Sequence, residues 1–374
     1  MSARAPDPTD GPGAAELCER VLAVLGGRAE GVVAAEVGSA ALTRFANGRI
    51  HQNTSEDRRG LRLTVAVDGR VARATTTRTD DAGLAALVDR ALAAAALRPV
   101  DPDFAGFAPA APVAGIEHWD AGTAAATPGD RAEVVAAFVA AGGTGREGGP
   151  VVGIEAAGYC STRSVTHALA STTGQRASAR STVAEVDGIQ RATGHAGDPA
   201  DGCAQATSVR LSDIDGAGAG SRAAAKARAG LDPVVLPPGD YEVVFEPRAV
   251  AAALAFPVLL GFNGKAHAEG TSFVHLGEPQ WDEAVELWDD ATDPRALGDP
   301  YDAEGTPKRR HDLVRAGISV GLTHDRRSAR LAGAEPTGHA VGSDAFGGVA
   351  TDLFLAGGDR RPDALVAEVE RGLL

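Results

Sequence analysis

Aromatic side chains make up only 4% of this 374-residue chain, so its cores must be built from alanine, valine and leucine. That scarcity argues against aromatic cages and base-stacking platforms. Cysteine occurs three times, as Cys18, Cys160 and Cys203, with no CxxC spacing, which indicates neither a zinc knuckle nor a disulfide framework. Basic blocks are missing too. The arginines are scattered among acids, and a net charge of −14 with a pI near 5.1 repels a phosphate backbone, so no nucleic-acid partner is expected. The opening MSARAPDPTDGPG lacks the apolar core of a signal peptide. The longest apolar run, AVAAALAFPVLLGF at 249–262, is too short to cross a bilayer and is interrupted by Pro257. A soluble, cytoplasmic protein with no membrane partner is the expectation, and the Asn53-Thr54-Ser55 sequon carries no weight in that compartment.

What is present is ordinary globular composition, 44% hydrophobic and 23% charged, over a length that suggests two or three structural units. After a polar start, AAELCERVLAVLGG sets Leu17, Val21, Val24 and Leu25 at helical spacing. Extended runs follow, with Asn47-Gly48 and Asp68-Gly69 as two-residue hairpin turns and Leu61, Leu63, Val65 and Val67 in strand alternation. Asp80 and Asp81 are caps for a helix whose stripe is Leu84, Leu87, Val88, Ala91 and Leu92. Residues 98–128 hold five prolines and read as an extended connector.

A second unit repeats this plan of helix, strands and helix, and RSTVAEVDGIQRAT (180–193) echoes RLTVAVDGRVARAT (62–75) about an Asp-Gly pivot. A third begins with the strand signal LPPGDYEVVFEP (236–247) and ends in a long, turn-rich tail. The expected class is α+β, with an N-terminal helix and antiparallel-sheet unit (14–97), a central α/β unit (120–231) and a C-terminal mainly β unit (236–374).

Local motifs carry little chemistry. GAGAG at 216–220 fits neither GxGxxG nor GxxxxGK[ST] and reads as a flexible lead-in to a helix, and no GxSxG elbow exists. The acid-rich stretch 287–317 is more informative: Asp289, Asp290, Asp302, Glu304 and His311 can supply hard-metal ligands or an acid–base pair. The same residues are strong turn formers, and Glu304 lies near Lys308, Arg309 and Arg310, where ion pairing accounts for it. His267 and His275 are eight apart on an expected loop, and His324 and His339 are isolated.

Taken in order, TRFANGRIHQN, LPPGDYEVVFEP, GFNGKAHAEGTSF, WDDATDP, YDAEGTPKRRHDLVRAG and PTGHA resemble the TldD/PmbA family of metalloprotease-related proteins, most densely over 236–340. The resemblance implies three regions, and a heterodimer of a TldD-type and a PmbA-type (TldE) chain that cleaves unfolded or leader peptides. It also implies that the segment after the DYEVV-like strand is, in TldD-type chains, a helix with HExxxH, whose histidines hold zinc and whose glutamate is the base. Here that segment is AVAAALAFPVLLGF, with no His and no Glu. Catalytic zinc needs about three protein ligands and an open position.

The expectation is therefore a PmbA/TldE-like chain with no catalytic or metal residues, whose helix is kept for packing, with zinc in its TldD-type partner. The wall for a peptide substrate would be a loop offering backbone for strand addition, with Gly261, Asn263, Thr271 and Ser272 as its residues. The family continues some tens of residues beyond the match to ALVAEVERGLL, so a short variant or a truncation with an open strand edge is expected. Two rivals remain: an autonomous hydrolase with His267, Asp290, Asp302 and Glu304 as metal ligands, and a peptide-binding scaffold without cleavage.

Overall fold

The structure, a computed structural model, describes the backbone of residues 13–143, 151–195, 197–343 and 345–373 and, except at 151 and 152, their side chains. The polar start over 1–12 lies outside the described residues. Helix α1 (Ala14–Leu25) buries Leu17, Cys18, Val21 and Leu25 and stops at Gly26, whose φ of 56° is the left-handed cap that glycine adopts freely. Strands β1 (Glu30–Ala46), β2 (Arg49–Val67) and β3 (Arg70–Thr76) then run antiparallel. Both hairpins turn where the sequence indicates: Asn47, Gly48, Asp68 and Gly69 all have φ between 48° and 72°, as a type I′ turn demands. Helix α2 (Asp81–Ala96) starts under Asp80, whose carboxylate accepts from the Gly83 N–H.

The connector crosses the sheet to a short helix α3 (Ala121–Ala124) and then α4 (Pro128–Ala141), which opens with a Thr127–Asp130 capping box and Pro128 in its first turn. Strands β4 (Val151–Ser171), β5 (Arg176–Gly194) and β6 (Pro199–Ser208) and helix α5 (Gly216–Ala229) complete the second repeat of the plan. The two repeats share one sheet. Its order is β3-β2-β1-β4-β5-β6, so β1 and β4 pair at the centre and the halves mirror each other. The class is α+β.

Two sequence readings change here. The 180–193 echo is not a structural equivalence, because Asp187-Gly188 lies inside β5; Gly188 is small because the Phe138 ring rests on it, 2.8 Å from where a Cβ would stand. Nor is GAGAG a flexible lead-in. It is the first turn of α5, capped by Asp215, and a Cβ on Gly220 would stand 2.2 Å from the Phe138 carbonyl of α4. Gly220→Ala is expected to cost about 2 kcal/mol through this helix–helix contact, despite alanine's better helix propensity. Urea denaturation measures it; an unchanged midpoint contradicts the close approach.

All four long helices pack on one face of the sheet. α1 and α2 cover Val33, Leu61, Leu63, Val65 and Ala168, while α4 and α5 cover Phe45, Cys160, Ala184 and Val186. Burial in these cores raises the Cys18 and Cys160 thiols to about 12. The opposite face carries the alternate residues, and the third unit docks there. Tyr301 packs on Leu169, Ala177 and Ala179, Gln175 Nε2 donates to the Gly305 carbonyl at 2.6 Å, and Arg326 Nε donates to the Gly106 carbonyl of the connector at 2.9 Å.

That unit begins with β7 (Glu242–Val243), α6 (Pro247–Phe256), a π-turn over Pro257–Gly261 and α7 (Gly264–Ala268). A small sheet of β8 (Leu287–Asp289), β9 (His311–Arg315), β10 (Ile318–Ser319) and, after α8 (Arg326–Ala332), β11 (Leu353–Leu355) lies on Val258, Phe262 and Val274. Helix α9 (Pro362–Glu368) leads to β12 (Gly372–Leu373), which pairs in parallel with β7.

Candidate functional site

Between the open face of the sheet and the third unit lies a cavity of about 680 Å³, and Ala34, Arg62 and Ala303 on its wall also line a neighbouring annex of about 90 Å³. Strand register builds one wall. Glu36 of β1 stands directly opposite His167 of β4, so both side chains project from the same face, and the third unit brings Asp299 to them. His167 Nδ1 lies 2.5 Å from Asp299 Oδ2, and its Nε2 is 3.8 Å from Glu36 Oε2. Burial disfavours the imidazolium, yet the hydrogen bonds and charges of Asp299 and Glu36 prevail and raise His167 to about 9. Glu36 is held below its ordinary value by its contact with His167, against the effect of burial.

The other wall is the turn Tyr301–Glu304. Asp302 is 5% exposed and accepts from the Glu304, Thr306 and Ala340 N–H groups, at 2.9, 2.9 and 3.0 Å. Burial still raises its carboxyl, the backbone donors working the other way. Glu304 accepts from the Arg326 N–H at 3.0 Å, and burial followed by the neighbouring Asp302 charge raises it to about 8. The ion pairing expected of Glu304 does not form. Lys308 turns instead to Asp352, and Arg310 pairs with Asp312 and covers the Trp288 ring.

The acid-rich stretch does not converge on a centre. Asp289 pairs with His339 at 3.1 Å with both side chains fully buried, Asp290 accepts from the Thr292 N–H, and His311 Nε2 contacts the Leu322 carbonyl at 2.9 Å. His267 lies within α7, not on a loop. Among the described residues no group of three or more His, Cys, Asp and Glu side chains is arranged to hold a metal ion. The segment 249–262 adds no donor, so these residues do not fit a catalytic zinc.

The four residues expected to line a peptide wall lie in one compact turn. Gly261 accepts from Ser272 Oγ at 2.6 Å, and a Cβ on it would stand 2.5 Å from the Phe273 ring. Asn263, 3% exposed, caps α7 and donates to the Phe346 carbonyl. Thr271 is exposed and donates to the Ala266 carbonyl at 3.1 Å. The Thr271 and Ser272 N–H groups also go to Ala266, and Gln280 occupies the backbone of Phe273 and His275. The open backbone edge is elsewhere. From Arg49 to Gly60, β2 pairs with β1 on one side, whereas β3 reaches only Leu61–Val67 on the other.

Helix α6 is the largest departure from expectation. It has no fully buried residue, and Phe256 at its C-terminal end is 69% exposed; of the 249–262 run, Val258 and Phe262 are buried in the third unit's core and half-buried Leu254 packs against it. Most of its apolar surface is left uncovered by this chain, with Leu254 as its contact to the core.

Two family models of one architecture match the sequence: the PmbA/TldA metallopeptidase domain 1 over residues 32–95 and its C-terminal domain over 238–374, together more than half of the chain. The chain belongs to the PmbA/TldD family. The fold extends the likeness across regions where sequence has diverged. TldE from Thermococcus kodakarensis superposes with a TM-score of 0.84 at 18% identity, over 96% of this chain and 80% of that one. A Thermotoga maritima protein described as a candidate modulator of a DNA gyrase gives 0.83 at 19% identity, over 96% and 81%. A Bacteroides thetaiotaomicron protein described in the same way gives 0.80 at 19%, over 96% and 80%. No curated protein matches the sequence. Among the described residues of this PmbA/TldD chain, no helix is long and apolar enough to cross a membrane.

Reading the sequence alone missed Glu36, Arg62, His167 and Tyr301. A signal existed for Glu36, a lone acid between Ala35 and Val37 within β1. The register that unites residues 36 and 167 is nonetheless a tertiary fact.

Proposed function

We propose that this chain is the non-catalytic, TldE-like subunit of a two-chain peptidase, in which a TldD-type partner supplies zinc and the general base. Its substrate is an unfolded or leader peptide. The observation that carries this reading is α6: the segment where TldD-type chains bear HExxxH is here apolar, donor-free and solvent-facing. Phe245, Phe256, Leu260, Phe273 and Leu276, on α6 or near it in sequence, are each about half exposed or more, and large exposed apolar surface favours a protein interface. A partner covering it supplies the packing that the chain itself does not. The free edge of β2 offers an extended peptide a ladder of backbone groups without demanding a particular sequence, and exposed Thr271 stands by the interface as a further wall residue.

Co-expression with a TldD-type chain is expected to give a stable complex on size exclusion, and peptide cleavage only when both chains are present. Phe256→Asp with Leu260→Asp is expected to weaken that complex at least about a hundredfold, because two anchors at an interface centre lose their burial. The same pair leaves the isolated chain's stability within about 0.5 kcal/mol, as surface changes do. Absence of a complex, or cleavage by this chain alone, rejects the reading.

A further inference from the structure

The cavity on the open face of the sheet holds a cation that no described residue balances. Arg62 of β2 stands where the large cavity and its annex meet, and among the described residues its guanidinium makes no hydrogen bond and no ion pair. Its neighbours are all engaged. Arg73 donates to Thr64 Oγ1 and the Gly342 carbonyl, Arg326 to the connector carbonyls, and Arg327 pairs with Asp101.

The nearby acids are engaged as well. Asp299 and Glu36 flank His167, Asp302 takes three backbone N–H groups, Glu304 faces the Arg326 N–H, and Asp325 caps α8. Burial and the like charge of Arg73 both work against the Arg62 cation, so the site gains from any anion that reaches it. Tyr301 lines the same cavity, but its unbonded hydroxyl is shut in where the ring packs on Leu169, Ala177 and Ala179.

We propose that Arg62 forms a binding site for a single carboxylate entering through this cavity. A guanidinium offers two parallel N–H donors that match the two oxygens of a carboxylate. The carboxylates of Glu36 and Asp299 on the cavity wall select one negative charge and oppose the second charge of a phosphate. This chemistry is shared by a peptide's C-terminal end and by a small free acid. The inference concerns this chain alone and does not require a partner subunit.

The test is calorimetric titration of the isolated chain with tetra-alanine bearing a free C-terminus, with its C-terminal amide, and with propionate. The free acid is expected to bind, and amidation to weaken it about tenfold or more, since a hydrogen bond to a charged group is lost. Arg62→Gln is expected to produce a similar loss and Arg62→Lys a smaller one, with thermal midpoints confirming that each variant is folded. Propionate at least about tenfold weaker than the peptide identifies a chain end as the ligand; propionate equally tight identifies small acids. Equal affinity for acid and amide, no binding of either peptide or propionate, or unchanged binding by folded Arg62→Gln overturns the proposal.

Discussion

Replacing Lys308 with methionine is expected to lower the unfolding free energy by about 3–5 kcal/mol, the cost of leaving a buried carboxylate without its cation. Lys308 Nζ lies 2.9 Å from Asp352 Oδ2, with side chains 7% and 4% exposed. Asp352 also binds the Gly298 N–H and Thr351, and its own N–H donates to Asp289, which pairs with the buried His339. These contacts tie the turn after β8 to β11 and to the loop carrying His339, and the third unit has little regular structure to replace them. Methionine keeps most of the lysine stem's volume, so the loss reports on charge and not on a cavity. Lys308→Met combined with Asp352→Asn is expected to recover much of the loss, giving a coupling energy of about 1–3 kcal/mol in urea denaturation. A single-variant loss below about 1 kcal/mol contradicts a structural role for the pair.

The two sides of the cleft are expected to withdraw stability as pH rises from about 5 to 9, by several kcal/mol together, in adjacent ranges. Glu304 is raised from 4.5 to about 8, so the folded state holds its proton more tightly than the unfolded state and loses that advantage as pH climbs between these values. His167 is raised from 6.5 to about 9; its contribution is complete below 6.5 and gone above 9. Each shift corresponds to about 3–5 kcal/mol at most, and solvent at the cleft reduces it. Glu304→Gln should flatten the curve between pH 5 and 8, and His167→Gln should flatten it between 6.5 and 9. Thermal midpoints across this range measure both. A curve rising toward pH 9 in the wild-type chain contradicts the two assignments.

The legible part of the fold was local. Asn47-Gly48 and Asp68-Gly69 turn because a type I′ hairpin demands positive φ at both positions, and Asp80 caps α2 because a short carboxylate reaches the third N–H. The repeated helix–strands–helix plan was visible for the same reason, each element announcing itself by period and cap. Asp187-Gly188 shows the limit. The same dipeptide that turns β2 into β3 passes straight through β5, because Phe138 from a helix distant in sequence needs the space above Gly188. Glu304 shows it again: the nearest cations in sequence point elsewhere, and its real partner is a backbone N–H at Arg326.

The sequence by itself determined the α+β class, the family and the absence of any donor in the 249–262 run, because each depends on residue type and short-range order. Tertiary structure alone decided that β1 and β4 join two repeats into one sheet, that Glu36, His167 and Asp299 meet, and that α6 faces solvent. Those outcomes rest on which surfaces find each other across more than a hundred residues, and burial energy selects among such pairings only when the whole chain is folded.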